Sequence, residues 1–198
     1  AADEMVLSVH RWFANKSCPG DWMYARMGDL ASKVTAALGG AEEQTQPEPA
    51  PVTDTEKTIW DFLYGKLGNA YGAAGLMGNL YAESGLLPNN LQNTYERSLG
   101  MTDAEYTAAV DNGSYGNFVK DSAGYGLAQW TYWSRKQALL QFAQAAGKSI
   151  GDLQTQLDFL WQEIQGYTSV LNTLKDAQDV RTASDAVLTK YERPADQI

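Results

Sequence analysis

A stretch of small and apolar residues that ends in a single acid constrains the fold of this 198-residue chain most strongly. It runs from residue 70 to 84, and its first half is rich in small residues, namely Ala70, Gly72, Ala73, Ala74 and Gly75. Apolar character on nearly every face predicts a helix that is packed into a core. Glycine lowers helix propensity, and tight packing against neighbouring helices is expected to compensate. The stretch therefore predicts a mainly α-helical domain in which this helix is buried.

Glu83 stands at the end of this stretch. Protein surrounds its carboxyl group, but the nearby sequence offers little positive charge to pair with it. Desolvation of such a carboxyl group raises its pKa and favours the protonated form, which suits a general acid. The structural alternative is an ordinary surface carboxylate at a helix end.

A second motif follows about forty residues later, in residues 121–131, with the sequence Asp-Ser-Ala-Gly-Tyr-Gly-Leu-Ala-Gln-Trp-Thr. Its glycines and its alternating Tyr, Leu and Trp predict a short β-hairpin or a tight loop rather than a helix. We expect a minor hairpin over residues 115–130.

Glu83-Ser84-Gly85 and the downstream motif from Gly124 to Trp130 together resemble the phage-type lysozymes of endolysins and tail-tip cell-wall hydrolases. The resemblance covers roughly residues 53–198. It implies a lysozyme-like helical domain that cleaves peptidoglycan between N-acetylmuramic acid and N-acetylglucosamine, with Glu83 as the acid that protonates the glycosidic oxygen. It also implies that Tyr125 and Gln129 line the saccharide cleft.

The identity of the second catalytic group stays open at this point. Animal c-type lysozymes have an Asp directly before the Tyr-Gly of this turn, whereas this chain has Gly124, and the nearest acid is Asp121. Either Asp121 acts as the second carboxylate, or Glu83 works alone as in the lytic transglycosylases, which release 1,6-anhydro products. The separation of two carboxylates distinguishes retaining from inverting enzymes. A non-catalytic wall-binding or virion module with the same fold is the third hypothesis.

Several other residues are candidates for contact with saccharide. Tyr95 lies in a predicted loop over residues 86–97 that is rich in amides, and Trp130 begins an aromatic cluster with Tyr132 and Trp133. Aromatic faces stack on sugar rings, although tryptophan at this density more often belongs to a core. The segment Tyr191-Glu192-Arg193-Pro194 also resembles the lysozyme family, but we interpret it as a charged helix end and assign it no chemistry.

The first 39 residues carry a different resemblance. His10, Lys16 and the sequence Cys18-Pro19-Gly20 are similar to the C-terminal end of zinc-dependent N-acetylmuramoyl-L-alanine amidases. The resemblance implies that His10 and Cys18 are two zinc ligands of a complete amidase, and imidazole and thiolate both suit zinc. Two ligands do not form a site, so residues 1–39 are predicted to be a helical amidase remnant without activity. The alternative is an exposed histidine and an inert thiol.

Residues 40–52 contain three prolines and three glutamates and little apolar bulk, which predicts an extended, semi-stiff linker. The second predicted domain, over residues 53–198, begins with a capping box from Thr53 to Glu56, and another such box runs from Thr102 to Glu105.

A net charge of −9 argues against nucleic-acid binding, because phosphate binding requires a basic face. The sequence contains no apolar run of membrane-spanning length, so we expect no membrane partner. Bacterial peptidoglycan is the expected partner, and the lysozyme-like domain is expected to need no cofactor. We expect action at the cell wall, after release at phage lysis or after secretion, and the oligomeric state stays open.

Overall fold

The computed structural model describes residues 53–192. The predictions for the amidase remnant, with His10 and Cys18, and for the linker lie outside the described residues. So does the end of the chain from residue 193 onward.

Residues 53–192 fold into eight α-helices and a final π-helical turn, and no β-strand occurs among them. The helices are α1 (Asp54–Leu67), α2 (Ala70–Ser84), α3 (Asn93–Leu99), α4 (Asp103–Asp111), α5 (Trp133–Ala146), α6 (Leu153–Gly166), α7 (Thr168–Asp176) and α8 (Val180–Val187), and the π-helical turn is Leu188–Glu192. The prediction of a mainly helical domain is confirmed for this part of the chain.

Local sequence signals set several helix ends. Thr53 and Glu56 form the expected capping box at the start of α1, and Thr102 and Glu105 form the second at the start of α4. In each box the side chains satisfy amide groups that the first helical turn leaves unpaired. Gly68 ends α1 in the left-handed conformation, with φ of 67°.

Helix α2 lies at the centre of the packing and contacts α1, α7 and α8. Gly72 and Gly75 are essential to this arrangement. A Cβ atom at Gly72 would lie 1.9 Å from the carbonyl oxygen of Leu174, and one at Gly75 would lie 2.5 Å from Cβ of Ala183. The predicted close approach of neighbouring helices is therefore confirmed, and it explains why a glycine-rich helix is tolerated in the core.

The predicted hairpin over residues 115–130 is not what the structure contains. Residues 90–92 of the preceding loop pair with the turn instead, through an isolated antiparallel bridge between Leu91 and Tyr125. Gln92 N donates to Gly124 O, and Gly126 N donates to Asn90 O, each at 2.9 Å. The turn finds its backbone partner in a distant segment, which local alternation of side chains does not reveal. The predicted loop over residues 86–97 likewise contains the start of helix α3.

None of the helices in residues 53–192 has both the length and the apolar character needed to cross a membrane. The same part of the chain holds no group of three or more His, Cys, Asp or Glu side chains arranged to bind a metal ion.

Candidate active site

Ser84 brings the two sequence motifs together. Its side-chain oxygen lies 3.0 Å from Leu80 O within α2 and 2.9 Å from Leu127 O in the turn. Gly85 then ends the helix in the left-handed conformation, and its N–H donates to Tyr81 O. Glu83 is consequently held at the end of α2, beside the residue that fastens the helix to the turn, and its side chain is half-buried.

Gln156 holds the turn that contains Leu127 in place through hydrogen bonds. This fully buried side chain accepts a hydrogen bond from Leu127 N and donates to the carbonyl oxygens of Pro88 and Ile150. Sequence reasoning missed it, although one signal was present. Gln156 lies three residues after Leu153 and four before Leu160, so this amide occupies the apolar stripe of α6.

Gly124 occupies the position where the c-type lysozymes have an Asp, and the side chain of Gln129 lies against it. A Cβ atom there would lie 2.6 Å from Oε1 of Gln129. Gln129 itself is held in the left-handed region, at φ of 43°, and its amide donates to Asn90 and to Gly126 O. A side chain at position 124 would therefore require the amide of Gln129 to move.

Two predicted saccharide contacts, Tyr125 and Trp130, are fully buried. The hydroxyl of Tyr125 lies 2.6 Å from Oγ1 of Thr107, and Nε1 of Trp130 donates to Glu163 at 2.7 Å. Their rings therefore support the turn from inside. Tyr95 is half-buried on α3, while Tyr132 and Trp133 are exposed by 63% and 54%.

Asp121 is buried in a network of hydrogen bonds. It pairs with Nζ of Lys136 at 2.5 Å and accepts further bonds from the hydroxyls of Tyr106 and Tyr115 and from the amide of Ala123. Lys136 also donates to Ala123 O. Burial lowers the pKa of Lys136, and the charge of Asp121 opposes this. The structure thus places Asp121 as the anchor of the segment that enters the turn.

A second ion pair lies next to the first, because Arg135 precedes Lys136 on α5. Its Nε and Nη2 atoms each lie 2.8 Å from a carboxylate oxygen of Glu163. Glu163 also accepts from Trp130 and from the hydroxyl of Tyr191, and the guanidinium of Arg135 lies over the ring of Tyr191. This pair fixes the residue that directly precedes Glu192.

Glu83 has an electrostatic partner that sequence reasoning did not assign, namely Glu192. Helix α2 contacts α8 through Asn79, whose amide donates to Ser184, and beyond this contact α2 continues to Glu83 while α8 continues into the turn that ends at Glu192. Burial raises the pKa of Glu83. Burial and then the charge of Glu83 raise the pKa of Glu192 to about 7, against an opposing effect of Arg135. In sequence Glu192 looked like an ordinary charge before a proline, because its two partners are distant along the chain.

The hydrogen bonding of these acids is incomplete. Oε1 of Glu192 is buried without a hydrogen-bond partner, and no donor within residues 53–192 reaches the carboxylate of Glu83. A pocket of about 350 Å³ lies elsewhere, between the ends of α4 and α5, and contains neither acid. The arrangement at Glu83 and Glu192 suits proton transfer, since it joins two coupled carboxyl groups, one with its pKa near neutrality.

Comparison with known families gives one assignment. A family model described as phage tail lysozyme matches residues 54–198, which is most of the chain. No curated protein and no solved structure matches the chain.

Proposed function

We propose that this chain, which belongs to the phage tail lysozyme family, is a muramidase that cleaves peptidoglycan between N-acetylmuramic acid and N-acetylglucosamine with Glu83 as general acid. The family supports a lysozyme-type activity on the cell wall. The observation that supports the role of Glu83 is its place at the end of α2, half-buried, with its pKa raised by burial and with no hydrogen-bond donor from the described residues. Burial disfavours the charged form of such a carboxyl group, which suits a general acid.

The proposed step transfers the proton of Glu83 to the glycosidic oxygen as the bond between that oxygen and the anomeric carbon breaks. The leaving sugar departs with a new hydroxyl group, and positive charge develops at the anomeric carbon. Water then attacks this carbon and loses a proton to a carboxylate of the site. This chemistry needs only carboxyl groups, so the proposal includes no cofactor.

A lytic transglycosylase is the second candidate, and one observation favours it. Asp121, the nearest acid to the turn in sequence, is occupied by Lys136 and three further donors. In this proposal Asp121 is a structural residue and not the second catalytic carboxylate. In a transglycosylase the 6-hydroxyl of the muramic acid replaces water and closes a 1,6-anhydro ring.

For substrate contacts we propose the residues that are accessible at the surface. Tyr132 and Trp133 form an exposed pair with ring centroids 6.0 Å apart, and such faces stack on sugar rings. Gln129 and Tyr95 are half-buried and are proposed to border the cleft. Tyr125 and Trp130 are proposed to hold the turn in shape rather than to touch sugar. The place of action is proposed to be the bacterial cell wall, reached at lysis or by secretion.

The test is digestion of purified peptidoglycan by the wild-type protein and by Glu83→Gln, with products reduced by borohydride and weighed by mass spectrometry. Glu56→Gln is the matched control, since glutamine also serves in a capping box. We expect wild type and control to release reducing muramic acid ends and Glu83→Gln to lose on the order of 10²–10⁴ of the rate.

The products and the variants separate the alternatives. Anhydro ends, lighter by one water, would replace the muramidase by the transglycosylase. Full activity of Glu83→Gln would refute the assigned acid. Binding of chitooligosaccharide without any release by folded wild-type protein would indicate a non-catalytic module.

A further inference from the structure

The environment of Glu192 is unusual among the acids in residues 53–192. It is the one residue there with a buried side-chain polar atom, Oε1, that has no hydrogen-bond partner. A buried carboxylate oxygen without a donor is costly, whereas a protonated carboxyl group reduces that cost. The surroundings of Glu192 therefore favour a bound proton.

The nearby cation does not remove this preference. Arg135 is engaged by both oxygens of Glu163, and Glu163 also holds Trp130 and Tyr191. The charge of Arg135 is thus already matched by one acid. Among residues 53–192, the charged groups that act on Glu192 are Glu83 from α2 and Arg135 from α5, and burial and Glu83 outweigh Arg135.

Tyr191, which directly precedes Glu192 in the chain, is held firmly by its neighbours. The ring of Tyr191 is buried, its hydroxyl donates to Glu163 at 2.8 Å, and Arg135 lies 4.7 Å from the ring centroid. Tyr167 also packs edge-on against it. The chain direction at Glu192 is consequently set by four packed side chains, which is the support that a positioned carboxyl group needs.

We propose that Glu192 is a positioning residue of the active site, a second carboxyl group that stores the proton which Glu83 delivers to the saccharide. This proposal depends on the proposed function for its chemical step, but not for the coupling between the two acids. No hydrogen bond joins the two carboxyl groups within the described residues, so a water molecule between them is the expected route for the proton.

The proton balance over one cycle is simple. The pair holds one proton, which passes from Glu192 to Glu83 and from there to the glycosidic oxygen as the glycosidic bond breaks. Both acids are then ionised, and their repulsion favours return of a proton. The attacking hydroxyl, from water or from the sugar, bonds to the anomeric carbon and releases the proton that restores the pair.

The first test is the pH dependence of kcat/KM for wild type, Glu192→Gln and Glu192→Asp. In wild type the pair keeps its proton up to about pH 7, so the rate should fall only above that value. Glutamine cannot store a proton, and Glu192→Gln must then rely on the proton of Glu83 alone. We expect its alkaline limb to move to lower pH by on the order of one unit, and Glu192→Asp to restore part of the limb. Glu56→Gln should leave the profile in place.

A second test does not require activity. Carboxyl ¹³C signals of glutamate are followed by NMR against pH in wild type and in Glu83→Gln. We expect Glu192 to titrate near pH 7 in wild type and at a clearly lower pH in Glu83→Gln, because the charge of Glu83 has been removed.

The outcomes separate this proposal from the proposed function. The proposal that Glu192 stores a proton is overturned if the pH profile of kcat/KM is unchanged in folded Glu192→Gln. It is also overturned if the titration midpoint of Glu192 is the same in wild type and in Glu83→Gln. Complete inactivity of folded Glu192→Gln at every pH also overturns it, since a positioning residue leaves Glu83 competent at low pH. Coupled titration in a protein that digests no peptidoglycan supports the pair and refutes the proposed function.

Discussion

The acids beside the Gly-Tyr-Gly turn fall into two groups with opposite environments. Asp121 and Glu163 each accept several hydrogen bonds and each pair with a cation, Lys136 and Arg135 respectively. Glu83 and Glu192 are also partly buried, yet Oε1 of Glu192 has no hydrogen-bond partner, and the charge of Glu83 raises the pKa of Glu192 against the effect of Arg135. Both groups lie in the same small region of the fold.

The difference shows that burial alone does not identify an acid that does chemistry. Where donors fill the oxygens of a carboxylate, charge-assisted hydrogen bonds hold the side chain in place and serve the structure. Where donors are missing, burial raises the pKa of the carboxyl group and favours a bound proton. Asp121 and Glu163 are therefore structural anchors, and Glu83 with Glu192 forms the reactive pair that we propose.

The largest effect is expected at Lys136. Replacing it by Met leaves Asp121 buried without its cation, and loss of one partner of a buried pair costs about 3–5 kcal/mol of unfolding free energy. Urea denaturation measures the change. The double variant Asp121→Asn/Lys136→Met should recover part of the loss. Lys57→Met, which breaks the exposed pair with Asp61, should have no measurable effect. Equal losses of unfolding free energy in Lys136→Met and Lys57→Met would contradict the structural role assigned to the buried pair.

A smaller loss is expected for Arg135→Met. The side chains of Arg135 and Glu163 are 21% and 14% exposed, against 0% and 4% for Lys136 and Asp121, and Glu163 keeps its bonds from Trp130 and Tyr191. We expect a cost of about 1.5–3 kcal/mol in the same denaturation experiment. A loss of unfolding free energy greater than that of Lys136→Met would show that partial exposure does not reduce the cost of breaking the pair of Arg135 and Glu163.

Glu192→Gln is expected to act in the opposite direction and to stabilise the protein at alkaline pH. The pKa of Glu192 is raised from 4.5 to about 7 on folding, so its contribution to stability is complete below pH 4.5 and is lost as pH rises through 7. Glutamine has no such loss. We expect a gain of about 1–3 kcal/mol at pH 8, reduced by partial solvent access, and none at pH 4. Thermal unfolding at both pH values measures this gain in stability. Destabilisation of Glu192→Gln at pH 8 would contradict an unfavourable ionised form of Glu192 in the folded protein.

Much of the helical fold was predictable, because its signals are local. The capping boxes at Thr53 and Thr102 and the small residues of α2 act within a few residues of their own position, and each prediction is confirmed. The hairpin prediction was wrong because the partner of Tyr125 is Leu91, more than thirty residues earlier. No local pattern encodes that pairing.

The candidate site was predictable only in its first member. Glu83 was found because an apolar stretch surrounds it in sequence. The raised pKa of Glu192 depends on burial and on the charges of Glu83 and Arg135, and its Oε1 atom has no hydrogen-bond partner. These features arise from tertiary packing and leave no mark in the local sequence. Tyr125 shows the converse, since the resemblance implied a place in the saccharide cleft and the ring is buried in the core. For Trp130 the preference of dense tryptophan for a core agrees with its full burial.

The most direct test of this account compares the loss of activity when Glu83 is replaced with the loss when Asp121 is replaced. Rates of peptidoglycan solubilisation at pH 6 are compared for Glu83→Gln and Asp121→Asn, each divided by the folded fraction from circular dichroism. We expect Glu83→Gln to lose at least about 10²-fold while it remains folded, and Asp121→Asn to lose stability but to keep its rate per folded molecule. A folded Asp121→Asn without activity, beside an active Glu83→Gln, would contradict the division between structural and reactive acids.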